Sequence, residues 1–457
     1  MTRSMPRATA TAALLDMTVD LDWDSLPDGV RHAARRHFLD TCASIVAGMP
    51  GDVARATGRV LAMAEGPLAV PASPLRLPAE GYAMLLGTAG HGIELDDGHR
   101  GGSVHLGVAV VPALLAAAGL APMSGRDLLS ALVAGYEAIC AISSAANPAF
   151  RNRGFHPTSA AGPLGAALAV GKALGLDRAT LSDALGIAAS SAGGLFAFLG
   201  GGGDVKRLHG GMAARNGLMA ALFAREGIGA PAGIIETPSG FAQAFAGAAP
   251  GEGLALELPP AAPFAILDCY FKPYACCRHL QPAMEALIRL REAHGLTAQT
   301  VAAIEVETYS IAAKHADTGW GDMASAQLSF PYGLALALRF GRADLVHYGP
   351  ETRAGEWVRE IADRITIRAS DEMDALYPGQ RPARVTVTTT AGERHSAFAP
   401  EALGARDMPL SDDALKDKAM GLMVPVLGEA RAGTLLARLW AVDEAPDAGR
   451  LFEGMGA

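Results

Sequence analysis

Residues 91–105, HGIELDDGHRGGSVH, constrain this chain more than any other stretch. Fifteen positions hold His91, His99 and His105 together with Glu94, Asp96 and Asp97. Apolar, alanine-rich segments flank them, AMLLGTAG before and LGVAVVPALLAAAGL after. Titratable groups concentrated between two such segments imply a chemical use for them. Four further stretches read as organised around the same place. They are GFHPTS at His156, DVKRLHGG at Lys206 and His209, YFKPYACCRH at Lys272 and Arg278, and LSFPYG at Tyr332.

A length of 457 residues gives room for two or three domains and a large core. Half of the residues are hydrophobic but only 6% are aromatic, so Ala, Leu, Val and Gly carry the apolar share and favour close-packed helices. The charged share of 19% suits a large buried volume or a buried oligomer interface. With a net charge of −9 and no basic run, a nucleic-acid partner is not indicated. The five cysteines (42, 140, 269, 276 and 277) are odd in number and form no CxxC pair, which reads as reduced thiols of the cytoplasm. The N-terminus shows no signal-peptide pattern. No uncharged apolar run reaches the roughly 20 residues of a membrane span, so no membrane partner is expected.

Along the chain, residues 1–7 read as disordered and 8–17 as a first helix. A second helix follows, with Asp24 or Ser25 as its cap and Pro27 in its first turn. Helical spacing continues over 53–64, 79–90, 108–118, 125–142, 162–174, 177–191 and 209–226, with PLAVPASPLRLP as a proline-punctuated connector. Near residue 260 the pattern changes. Residues 301–309 and 362–370 alternate as strands, and ARVTVTTTAGERHSAF reads as a hairpin turning at Ala391-Gly392. Helices are expected over 282–294 and 332–339, and again after Ser411. The expected fold is mostly α: a large all-helical domain over 1–265, completed by 406–457, and a smaller α+β lid domain over 266–405.

Several familiar motifs are missing. Gly171-Lys172 does not sit in a P-loop, no GxGxxG follows a strand, and there is no GxSxG elbow or HExxH. Cys276, Cys277 and His279 make a poor zinc set, because adjacent cysteines do not readily share one tetrahedral site. No metal and no cofactor are therefore expected. What remains is a set of imidazoles, ammonium and guanidinium groups, carboxylates and one phenol. Lys and Arg hold carboxylates. Proton abstraction next to a carboxylate needs a base of near-neutral pKa, which His supplies, and a cation beside the developing charge. Lyase, isomerase and decarboxylase chemistry all fit. A helical binding protein without catalysis is the alternative.

These motifs, in this order, resemble the MmgE/PrpD family, which includes 2-methylcitrate dehydratase, cis-aconitate decarboxylase and iminodisuccinate epimerase. The similarity runs from LPDGVRHAARRHFLDTCASIVAG through HGIELDDGH, GFHPTSAAGPLGAALAVGKALGL, DVKRLHGGMAARNG and KPYACCRH to LSFPYGLALAL. The resemblance implies a cofactor-independent homodimer acting on a small di- or tricarboxylate. It places His105, His156, Lys206, Lys272 and Tyr332 at pocket positions, where they are the expected catalytic residues, and Glu94 where the family often has Asp; Glu94, Asp97, His209 and Arg278 are expected to bind substrate. Gly98 stands where the family commonly has Thr, and the run into His105 is short, so dehydration, decarboxylation and epimerisation all stay open.

Overall fold

The computed structural model describes residues 9–200 and 203–456. The chain is mostly α-helical with a smaller α+β region, as its periodicity predicts. It divides into two compact units. The first takes the chain up to Gly92, Asp96–Cys269 and the C-terminal stretch from Asp412. The second takes Ile93–Leu95 and Tyr270–Ser411. The N-terminal segment read as disordered lies outside the described residues, as do Gly201 and Gly202 of the glycine run.

The first unit is a helical assembly. Every residue of the Gly107–Ala118 helix is buried, and nearly all of Ala79–His91 and Pro157–Ala173 is buried with it. Small side chains make this possible. A Cβ on Gly211 would stand 2.2 Å from the Met84 carbonyl oxygen, so the Val205–Arg225 and Ala79–His91 helices meet nearly backbone to backbone. That crossing carries His91 at the end of one helix and Lys206 and His209 in the first turns of the other. The Asp412–Leu427 and Glu429–Trp440 helices pack on Asp28–Gly48, and Lys418 donates to the buried Asp40 at 2.6 Å. The Gly125–Ala146 helix is long and apolar enough to cross a membrane, but it is mostly buried within the fold.

Helix starts follow the capping chemistry in two expected places. Ser124 Oγ accepts from Asp127 N at 3.1 Å, and Asp177 Oδ1 accepts from Thr180 N at 2.8 Å. Elsewhere the boundaries move. Asp28–Gly48 starts after Pro27, and Trp23–Ser25 is a separate 3-10 turn capped by Asp22, so neither Asp24 nor Ser25 caps the helix. Pro157–Ala173 begins five residues before the expected start, with His156 at the N-cap position and Pro157 next. Proline has no N–H to lose there and a φ suited to the first turn. Val205–Arg225 begins four residues early, which brings Lys206 and His209 onto one helical face. The connector expected at 67–78 contains a short antiparallel ladder, Leu68–Ala69 with Arg76–Leu77.

The second unit holds a four-stranded sheet. Its order is Ile365–Ala369, Val301–Thr308, Ala383–Thr389 and Arg394–Ala399. The first pair is parallel and the others are antiparallel. A register shift between Val301 and Ala303 lets Val301 share the buried face with Ile304 and Val306. The helix Gln281–His294 packs on the Ala383–Thr389 and Arg394–Ala399 strands and on Phe330–Phe340. Both helices stop at a left-handed glycine, Gly295 and Gly341. Glu356–Ala362 and Asp371–Leu376 are further helices, too short for periodicity to announce them.

Candidate active site

Four histidines gather in the first unit. His91 ends the Ala79–His91 helix, His105 precedes Gly107–Ala118, His156 precedes Pro157–Ala173 and His209 lies on Val205–Arg225. Ring centroids are 5.1 Å apart for His91 and His105, 6.0 Å for His91 and His156, and 5.1 Å for His156 and His209. Asp96 meets two of them, with Oδ2 at 2.7 Å from His91 Nδ1 and 3.1 Å from His105 Nδ1. His105 Nδ1 lies closer still, 2.7 Å, to the carbonyl oxygen of Asp97. A carbonyl can only accept, so Nδ1 carries the proton and the neutral ring has its lone pair on Nε2. The backbone N–H of His105 donates to Thr158 Oγ1 at 3.1 Å, fixing the start of that residue as well.

His156 and His209 share a hydrogen bond, Nδ1 to Nδ1 at 2.9 Å. One ring must donate and the other accept, so a second proton on this pair is disfavoured. Burial pushes the His156 pKa well below the usual imidazole range, and the neighbouring His91, His209, Lys206 and His105 push the same way. Burial, His91 and Lys206 hold His209 down to about 4. Phe196 and Phe198 pack against His156, with centroids at 5.5 and 5.2 Å, and add to its apolar surroundings. Near neutral pH the pair is uncharged and can relay a proton.

The adjacent carboxylates divide their work. Asp96 faces the imidazoles; Asp97, expected to bind substrate, points into the core. Its oxygens accept from Gly107 N at 2.9 Å and from Tyr136 Oη at 2.6 Å, and lie 2.8 Å from His37 Nδ1. Burial works against the Asp97 carboxylate, yet these three donors hold its pKa below the ordinary value. The carboxylate that meets the histidines is Asp96, the member of the pair not expected to bind substrate.

Lys206 lies in the first turn of Val205–Arg225, and the remaining expected site residues sit in the second unit. Lys272 is buried, with Nζ 3.3 Å from Glu94 Oε2. Glu94 adopts a left-handed backbone, φ 57°, which is unusual for a non-glycine residue. Arg278, expected as a substrate clamp, is spent on the fold. Nη1 donates to the carbonyls of Phe271 at 3.3 Å and Leu403 at 2.8 Å and to Gln281 Oε1 at 2.9 Å. Nη2 donates to the Ala402 carbonyl at 2.8 Å and pairs with Glu401 at 3.4 Å. Tyr332 is fully buried, and its hydroxyl donates to the His347 carbonyl at 2.6 Å. Burial pushes its pKa up to about 12, so it can accept a hydrogen bond more readily than it can give up its proton. His279 hydrogen-bonds the Tyr309 hydroxyl.

Three polar features had no sequence signal strong enough to find them. His37 and Tyr136 reach Asp97 across 60 and 39 residues of chain, which no local spacing encodes. Glu137 accepts the backbone N–H groups of Ala265 and Ile266, both at 2.9 Å, and burial raises its pKa to about 8. Cys140 Sγ lies 3.9 Å from Cys269 Sγ. Burial raises the Cys140 thiol, but the Cys269 hydrogen bond and the His99 imidazole outweigh it and hold it below the ordinary thiol value. His91, Asp96 and His105 offer ligand atoms within 4.8 Å of one another, a spacing a metal ion could use. His105 Nδ1 donates to a carbonyl and His91 Nδ1 faces the carboxylate, so the trio as arranged is a hydrogen-bonded group of titratable side chains.

In comparisons with known proteins, the MmgE/PrpD N-terminal domain matches residues 12–252 and the MmgE/PrpD C-terminal domain matches residues 274–441. A cis-aconitate decarboxylase-like protein of Aspergillus oryzae is 28% identical over 99% of this chain and 98% of its own length. The cis-aconitate decarboxylase of Aspergillus terreus is 26% identical over 98% and 96%. The cis-aconitate decarboxylase of Homo sapiens is 34% identical over a shorter region, 38% of this chain and 37% of its own.

Proposed function

The chain belongs to the MmgE/PrpD family, and we propose that it is a lyase that transfers a proton at a carbon next to a carboxylate of a small di- or tricarboxylate. The observation that carries this reading is the 2.7 Å bond from His105 Nδ1 to the Asp97 carbonyl. It leaves Nε2 as the basic atom of a half-buried imidazole. Asp96, 3.1 Å from the same ring, supports the imidazolium that forms when Nε2 takes a proton. The His156–His209 pair, kept neutral by burial, is the proposed second partner in the proton relay. Lys206 supplies positive charge from the first turn of its helix, and Lys272 is proposed to hold a carboxylate.

Among the three reactions left open, the names of the full-length relatives favour decarboxylation. In that case CO2 leaves a carbon allylic to a carboxylate-bearing alkene carbon. The electron pair shifts through the alkene onto its far, carboxylate-bearing carbon, and His105, which has first taken a proton from solvent at Nε2, delivers it there. Dehydration or epimerisation would use the same imidazole in the reverse sense, taking the proton first. A panel of cis-aconitate, citrate, methylcitrate and amino-dicarboxylates, followed by NMR and CO2 release, tests the reading. Turnover of at least one member by the wild-type chain, lost in His105→Ala, is expected. A His105→Ala, His156→Ala double variant with full activity would end it.

A further inference from the structure

One fully buried carboxylate of the first unit does not face the imidazole cluster. It is the Asp97 carboxylate, which receives three donors from three helices. His37 comes from Asp28–Gly48, Tyr136 from Gly125–Ala146 and the N–H of Gly107 from the first residue of Gly107–Ala118. The side chains of His37, Asp97 and Tyr136 are all fully or almost fully buried. His37 and Tyr136 also pack ring to ring, 5.4 Å between centroids. The space around the carboxylate is filled. A Cβ on Gly107 would stand 2.9 Å from Tyr136 Oη and 3.1 Å from Asp97 Oδ1, so only glycine brings its N–H this close.

This carboxylate is one residue with the carbonyl that fixes His105. The side chain of Asp97 is anchored on the core side, and its main-chain oxygen accepts from His105 Nδ1 at 2.7 Å. A free imidazole is mobile between its two neutral tautomers; an immobile acceptor 2.7 Å from Nδ1 selects one. The acceptor is immobile only while the carboxylate keeps its donors. We infer that His37 and Tyr136 are positioning residues, which hold His105 in its Nδ1–H tautomer by clamping Asp97. Neither touches the imidazole that they orient. The inference rests on the reading that His105 transfers the substrate proton, but the tautomer can be measured without any substrate.

The test is 15N-histidine NMR of the full chain, with His105 assigned by the signal lost in His105→Gln, together with steady-state kinetics. In the wild type the His105 ring should show a single Nδ1-protonated form. In Tyr136→Phe, which keeps the ring and removes one donor, an Nε2-protonated form should appear and kcat should fall about tenfold, with KM within about twofold. His37→Leu removes a donor from the same oxygen by another helix and is read in the same way, so the inference stays testable if Tyr136→Phe does not fold. A fall in kcat with the His105 tautomer unchanged would overturn the inference and leave the trio a packing feature. A tautomer change with turnover intact would support the clamp and instead overturn the catalytic role of His105.

Discussion

The imidazole cluster of the first unit and the guanidinium cluster around Arg278 both come from stretches the sequence marks as candidates but differ in what their hydrogen bonds leave over. Around Arg278, five acceptors take up both terminal nitrogens, and four of those acceptors are uncharged. Such a cation braces the 401–404 segment against Phe271. Around His105, the bonds from Asp96 and Asp97 engage one ring nitrogen and define the chemistry of the other. A buried polar group with nearly all its donors bound within the fold is structure. One with a single nitrogen fixed is prepared for proton transfer.

Substitution can break this contrast in either direction. His105→Ala should lower turnover by at least about 100-fold, the low end of what a positioned acid/base contributes, with little change in the unfolding midpoint. Arg278→Ala should do the opposite. It leaves Glu401 buried with its charge and strands three carbonyls, at a cost of about 3–5 kcal/mol, read as a midpoint about 4 °C lower for a chain of this length. An Arg278→Ala chain of normal stability and no activity would return the residue to substrate binding and cancel the contrast.

Acid sharpens it further. Unfolded histidine titrates near about 6.5, whereas the folded His209 is held down to about 4 and His156 is displaced the same way. As pH falls below about 6.5 the unfolded chain takes up protons that the folded cluster refuses, so stability declines until about pH 4, where folded His209 protonates too. Thermal melts at pH 7 and pH 5 should show that decline, and His209→Gln should flatten it. The smallest effect is expected at Tyr332→Phe. Losing the bond to the His347 carbonyl should cost about 1 kcal/mol in denaturant unfolding.

What could be read from the sequence follows from how local each signal is. Caps at Ser124 and Asp177 depend on a residue and its neighbour three positions on, and both were legible. So was the sheet, because Val301–Thr308 and the following hairpin alternate on their own. His105 and His156 are marked by glycine- and serine-rich surroundings, and the structure brings them together with His91 and His209. Asp96 and Asp97 show the limit. Two adjacent identical residues carry no sequence difference, and their opposite directions are decided by helices that supply His37 and Tyr136 from elsewhere in the chain. Arg278 could not be separated from a substrate clamp for the same reason, since its acceptors at 401–403 lie more than 120 residues away.

The most direct test of His105 as the proton-transfer group is deuterium incorporation followed by NMR in D2O, using the wild-type chain and His105→Ala side by side on the carboxylate panel. The wild type should place deuterium on one carbon next to a carboxylate, in substrate or product, and His105→Ala should place none while melting at the wild-type temperature. Deuterium entering at the wild-type rate in folded His105→Ala would contradict the assignment and move the chemistry elsewhere in the cluster.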